Sequence, residues 1–174
     1  MKYVKVKGKI QFDPINKTKK HENQGDWKRI AMVLFDDDMC EYYSWFLNKR
    51  YNLVLNKPIR NSHISFINDS IRDICKGLNC SENEAIQAWE ELRERWDGKE
   101  IEIVLDLDMR SDATHWWLIV PQEEREELHK IRSEIGLGRP YYGLHMSVGY
   151  ANEKNIFHSK YVLDLCTKFG KEFN

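Results

Sequence analysis

The sequence predicts an α+β protein of two similar lobes, each running strand, strand, helix, strand, with antiparallel sheets flanking a central cleft. Three observations carry this expectation. Short alternating strands recur on both sides of a helical middle. The order of strands and helices before that middle is repeated after it. Two closely similar stretches, Ser62-His63-Ile64-Ser65-Phe66 and Leu144-His145-Met146-Ser147-Val148, fall at the end of each series. The chain reads as a single domain, with a first lobe of about residues 1–80, a helical linker of about 81–98 and a second lobe of about 99–174.

Residues 3–12 alternate cleanly, with Val4, Val6, Gly8, Ile10 and Phe12 on one face and Lys5, Lys7, Lys9 and Gln11 on the other, as expected of a half-buried strand with a basic outer face. Asp13-Pro14 ends it. The polar stretch 15–26, with Lys17-Thr18-Lys19-Lys20-His21, is long for a turn and reads as a loop. Residues 28–35 read as a buried strand. Asp36-Asp37-Asp38 opens a helix and Lys49-Arg50 closes it, matching the charges of the helix ends. Its apolar stripe is Met39, Tyr43, Phe46 and Leu47. After Leu53-Val54-Leu55 and a turn at Lys57-Pro58, the first motif strand covers residues 62–67.

Residues 70–78 suit a short helix. Ser81-Glu82-Asn83-Glu84 has the capping-box form and starts a helix whose stripe is Ala85, Trp89, Leu92 and Trp96, stopped by Asp97-Gly98. Residues 100–107 alternate again, with Ile101, Ile103, Leu105 and Leu107 inward. Residues 114–120 are apolar on both faces, as in a central strand. Pro121 suits a first helical position, and the helix after it carries Leu128, Ile131 and Ile135 before Gly136. The second motif strand covers residues 141–150. The segment 156–169 fits strand or helix equally.

Composition narrows the function. With 41% hydrophobic and 32% charged residues the chain can bury a full core without staples, and a net charge of -1 gives no global attraction to duplex nucleic acid or an anionic membrane. Any anionic ligand must be held by local basic groups. Cys40, Cys75, Cys80 and Cys166 lack metal-site spacing and read as reduced thiols, and no apolar run reaches membrane-spanning length, so the expected compartment is cytoplasm.

Within each motif His and Ser stand two residues apart, so they share one strand face while the apolar residues share the other. Two such faces meeting in a cleft bring together two imidazoles and two hydroxyls. Near neutral pH one imidazole can accept a proton while the other donates one, and the hydroxyls can donate to non-bridging phosphate oxygens. That set is sufficient for phosphodiester chemistry and requires neither metal nor cofactor. A ribose 2'-hydroxyl beside the phosphorus would be a nucleophile already in place.

The paired His-Ile-Ser-Phe and His-Met-Ser-Val stretches resemble the two His-x-Ser/Thr-x-hydrophobic signatures of the two-histidine (2H) phosphoesterase superfamily. The resemblance implies a bilobed α+β fold with the site between lobes, and metal-independent phosphodiester chemistry with His63 and His145 as the acid/base pair and Ser65 and Ser147 as phosphate ligands. Within that superfamily, compact size and aromatic content look most like the phage enzymes that destroy cyclic di- and trinucleotide signals, such as cyclic GMP-AMP, of bacterial CBASS immunity. That resemblance implies hydrolysis of 3'-5' linkages in the host cytoplasm. RNA-end processing of 2',3'-cyclic phosphates, 2'-5' RNA ligase-like chemistry, and a non-catalytic cyclic-nucleotide sponge are the alternatives.

A nucleotide substrate needs stacking rings and cations near the motifs. Trp27, Tyr43, Trp116, Trp117, Tyr141 and Tyr142 are the aromatic candidates, with Trp117 and Tyr142 preferred; Trp116 and Trp117 point to opposite faces, so at most one can line the cleft. Lys57, Arg60 and Arg139, just ahead of the motif strands, are the candidate cations. Asp106, Asp108 and Asp112 lack the pattern of an oxygen-ligand metal loop and read as a solvated strand end. His21, His115, His129 and His158 have no Ser two residues on and are expected at the surface or in local hydrogen bonds.

Overall fold

A computed structural model of the chain describes residues 3–14, 28–36, 38–58, 60, 62–112, 114–141 and 143–151. The lysine-bearing stretch 15–26, Trp27, Tyr142 and the segment 156–169 lie outside the described residues.

The strands are β1 (Tyr3–Phe12), β2 (Lys28–Phe35), β3 (His63–Ser70), β4 (Glu100–Asp106), β5 (Arg110–Ser111), β6 (His115–Ile119) and β7 (His145–Tyr150). The helices are α1 (Met39–Tyr51), α2 (Ile71–Leu78), α3 (Glu82–Trp96) and α4 (Glu126–Ser133), with a short 3-10 turn at Gln122–Glu124. The fold is α+β, and all seven strands join one antiparallel sheet in the order β4-β1-β2-β3-β7-β6-β5. The motif strands β3 and β7 are neighbours, joined at the single pair Ile64↔Met146. The sheet is therefore continuous where two separate sheets were expected.

The strand 100–106 departs from its expected partners. It pairs with β1 along seven positions, from Tyr3↔Asp106 to Lys9↔Glu100, and so completes the half that holds β1, β2 and β3. The reason lies in a shared buried face, where Val4 meets Leu105 and Val6 meets Ile103 against the core. The lysines of β1 face the glutamates of β4, with Lys5 Nζ 2.9 Å from Glu102 Oε1. The other half is built from β7, β6 and the two-residue β5, a strand too short to show in the alternation.

One row of residues crosses the sheet on its core face: Ile10, Val33, Ile64, Met146 and Leu118, each opposite the next and all buried. Ile71 and Ile74 of α2, Ala85, Trp89 and Leu92 of α3, and Leu128 and Ile131 of α4 join the same core. Trp89 is fully buried, tilted against Phe12, and its indole N–H donates to Asp13. The helix starts follow the sequence. Ser81 and Glu84 form the expected capping box on α3, and Ser70 with Asp73 forms a second one on α2. At Gly77 a Cβ would fall 2.1 Å from the carbonyl oxygen of Gly136, so the end of α2 meets the turn after α4 backbone to backbone.

Helix α1 starts differently from expectation. Asp38 occupies its N-cap but makes no side-chain cap bond; the amide of Cys40 donates instead to Ser62 Oγ, at 3.1 Å. The serine ahead of His63 thus caps α1 from a distance and ties the helix to the motif strand. The buried side of α1 is Cys40 and Leu47, with Met39 and Tyr43 packed beside them, while Phe46 is exposed. Pro121 precedes the 3-10 turn, and α4 begins only at Glu126.

Candidate active site

The face opposite the core row carries the motif side chains. Antiparallel pairing about Ile64↔Met146 sets His63 across from Ser147 and Ser65 across from His145. Directly opposed Cβ atoms stand roughly 5 Å apart and diagonal ones about 7–8 Å. The two imidazoles thus occupy one diagonal of a four-residue patch and the two hydroxyls the other. A phosphate centred on that patch has an imidazole on each of two sides.

Both motif strands bulge at the same place relative to their histidine. On β3 the ladder to β2 runs Met32↔Ser65, then Ala31↔Ile67, leaving Phe66 extra. On β7 the ladder to β6 runs Trp117↔Ser147, then Trp116↔Gly149, leaving Val148 extra. Each extra residue lies three after its histidine, and each has its carbonyl taken by a helix side chain. Arg132 Nη1 donates to Phe66 O at 2.6 Å, and Ser44 Oγ reaches Val148 O at 3.5 Å. A bulge reverses the in-out alternation beyond it. Asn68 and Tyr150, which regular strands would turn into the core, therefore come to the motif face.

A cavity of about 260 Å³ lies on that face, lined among others by Ile30, Arg60, His63, Ser65, Asn68, His115, Ser147 and Tyr150. His145, diagonal to His63 across the strand pair, is not among the residues that line it. Its Nδ1 lies 3.3 Å from the Gly143 carbonyl oxygen, which accepts from Nδ1–H and so leaves Nε2 as the chemical end of the ring. The Trp117 ring meets the His145 ring edge-on, with centroids 6.3 Å apart.

Of the residues expected at the site, Trp27 and Tyr142 lie outside the described residues. His63, Ser65, Ser147 and Arg60 line the cavity. Trp117 shares the motif face, but at 7% exposure it acts as packing for His145 and offers little ring to a ligand. Trp116 faces the core, as its alternation with Trp117 requires. Lys57 is directed to Glu41 on α1, whose hydrogen bond and charge raise the lysine pKa, and it lines a smaller neighbouring cavity instead. Arg139 lies with Glu126, His129 and Gly138 beside α4, in a different cavity from the motif residues. Arg60 is partly buried, which lowers its pKa by desolvation.

Three site residues escaped the sequence reading: Asn68, His115 and Tyr150. Asn68 and Tyr150 were hidden by the bulges. Gly149 was the available signal, because a Cβ there would sit 2.8 Å from Asn56 O, and the Asn56–Tyr150 bridge anchors that end of β7. His115 has no serine two residues on to mark it, yet β6 places it directly opposite Tyr150.

Asp112, beside His115, is held ionised. Burial alone would raise its pKa, but hydrogen bonds from the His115 and Thr114 amides and the Thr114 hydroxyl outweigh that and lower it. Asp106 is buried against Arg110. Among the described residues, no three His, Cys, Asp or Glu side chains are grouped to hold a metal ion. Likewise, none of the described helices is long and apolar enough to cross a membrane. Comparison of the chain with family models, with curated proteins and with solved structures finds no match.

Proposed function

We propose that this chain is a metal-independent phosphodiesterase of the two-histidine kind, which opens 3'-5' linkages of cyclic di- or trinucleotide signals and so silences CBASS immunity. The observation that carries the chemistry is the cross-strand patch, His63 opposite Ser147 and Ser65 opposite His145. The matching bulges at Phe66 and Val148 support reading the two motif strands as equivalent members of two lobes.

In this reading one imidazole takes the proton of a ribose 2'-hydroxyl as its oxygen attacks the adjacent phosphorus. The other gives a proton to the departing 5'-oxygen. The 3'-5' bond breaks, and a 2',3'-cyclic phosphate forms on the linear product. Water then opens that ring with the two imidazoles exchanging roles. The serine hydroxyls donate to the non-bridging oxygens, where charge builds in the transition state. His145 works through Nε2, since Nδ1 is directed to Gly143.

A second reading, action on RNA ends bearing a 2',3'-cyclic phosphate, is favoured by the cavity itself. Its volume of about 260 Å³ falls just below the roughly 300–1,000 Å³ of typical small-molecule sites, and suits one nucleotide unit at a time. Incubation in EDTA with 3',3'-cyclic GMP-AMP, and separately with RNA carrying a 2',3'-cyclic phosphate, followed by chromatography, separates the readings. Linearised cyclic GMP-AMP is the expected product. Turnover of RNA ends alone would select the second reading, and ligand that is bound but intact would select a sponge. His63→Ala and His145→Ala are each expected to lower the rate by about 10²- to 10⁴-fold with the fold preserved. Full activity in either variant would remove the acid/base assignment.

A further inference from the structure

We infer that His115 and Tyr150 form a nucleobase subsite, an aromatic wall on which the base of the nucleotide beside the reacting phosphate stacks. The two are a directly opposed cross-strand pair on β6 and β7, with ring centroids 6.3 Å apart and planes 36° from each other. Both line the cavity that holds His63, Ser65 and Ser147. Tyr150 reaches it only through the Val148 bulge, and the residue stays 44% exposed between buried Gly149 and Ala151.

The imidazole is set in place. Thr114 Oγ1 donates its proton to Asp112 Oδ1 at 2.9 Å and accepts from His115 Nδ1–H at 2.9 Å; Asp112 Oδ2 lies 3.4 Å from the same nitrogen. His115 Nε2 is then the end presented away from the loop. Asp112 also accepts from the His115 amide at 2.7 Å, so backbone and ring are fixed by one carboxylate. A histidine serving only as surface has no need of such support. The corresponding positions on the other half are Ile30 and Asn68, an opposed pair that also lines the cavity but offers no ring. The wall thus distinguishes the two sides of an otherwise similar site, and gives the substrate one orientation in it.

The chemistry that fits is a flat, π-bearing ring joined to the phosphodiester, as in a purine or pyrimidine nucleotide. Stacking of a base on an aromatic side chain contributes enough for roughly a tenfold change in affinity per ring. The inference rests on the proposed phosphodiesterase reading for its substrate, so its test has one arm with turnover and one without.

In the turnover arm, Tyr150→Ala is expected to raise KM for 3',3'-cyclic GMP-AMP, or for the RNA end if that is the substrate, about tenfold, with kcat nearly unchanged. Tyr150→Phe should keep the wild-type KM. The base-free methyl riboside 2',3'-cyclic phosphate should be turned over equally by all three. In the binding arm, equilibrium dialysis of the full chain with GMP and AMP should show binding that Tyr150→Ala weakens about tenfold and Tyr150→Phe leaves intact. Should Tyr150→Ala fail to fold, His115→Ala, at a side chain 64% exposed, is expected to weaken binding several-fold in its place. Unchanged KM and unchanged nucleotide binding in the folded variant, or no nucleotide binding by the wild type, overturns the subsite. Absence of turnover by the wild type, with nucleotide binding still sensitive to Tyr150, overturns the phosphodiesterase reading and upholds the subsite.

Discussion

At the scale of single residues, the serines of the motifs carry a sharper test than the histidines. Each hydroxyl stands across the strand pair from the histidine of the other motif, so each can serve the phosphate without touching its own imidazole. Removing one donor from a site that stabilises developing negative charge costs about 10²- to 10³-fold in kcat in buried sites. Ser65 is exposed, and its loss should fall at the lower end. Ser65→Ala and Ser147→Ala are therefore expected to lower kcat by about 10²-fold with small change in KM. A tenfold or greater rise in KM with kcat preserved would make them ground-state binding groups instead. Steady-state kinetics on purified variants decides between the two. The backbone role of Ser147 survives the substitution, because it is its carbonyl that accepts from the Cys40 thiol.

At the scale of elements, the bulges decide which residues meet at the cavity, and they show why part of the site was not legible. Alternation in residues 62–67 and 145–148 correctly gave the face shared by His and Ser. A bulge depends on whether an extra carbonyl finds a partner outside the ladder, and those partners lie far off in sequence, Arg132 for Phe66 and Ser44 for Val148. No local pattern reports them. Arg132 is the stronger of the two. Its side chain is 3% exposed, and it donates to Phe66 O, to both Asp69 oxygens and to Gly138 O. Breaking such a buried pair costs about 3–5 kcal/mol, because the partner is left desolvated without its cation. Arg132→Ala should lower the urea-unfolding free energy by about 3 kcal/mol, the smaller figure since Asp69 keeps some contact with water. A loss under about 1 kcal/mol would show that the pair acts as a solvated one. Capping boxes, by contrast, are local, and the one at Ser81–Glu84 was legible for that reason.

At the scale of the whole molecule, the strand–strand–helix–strand order correctly brought β3 and β7 together, but it misassigned β4, whose place beside β1 is set by apolar partners distant in sequence, with Lys–Glu pairs on the exposed side. The same dependence on distant partners governs how stability responds to pH. His129 on α4 has a lowered pKa, first from burial, then from the charges of Arg139, Arg125 and Arg132, with Glu126 opposing. The native state therefore binds less proton there than the unfolded chain does below about pH 6.5. That contribution is fully present above 6.5 and is lost as the pH falls through it. Asp73 is lowered by the hydrogen bonds of its Ser70 capping box, and Asp112 by bonds from His115 and Thr114 that exceed its burial. For both, the stabilisation is present above the unfolded value of 3.8 and disappears as the pH drops below it. The two windows add with the same sign. The thermal midpoint should thus be highest near and above neutrality, decline modestly on passing below about pH 6.5, and fall more steeply below about pH 4. His129→Gln should remove the first decline and leave the second. A midpoint that rises on acidification from pH 7 to 5, or a first decline that persists in His129→Gln, would mean that the burial of His129 and the cations around it do not set the upper window.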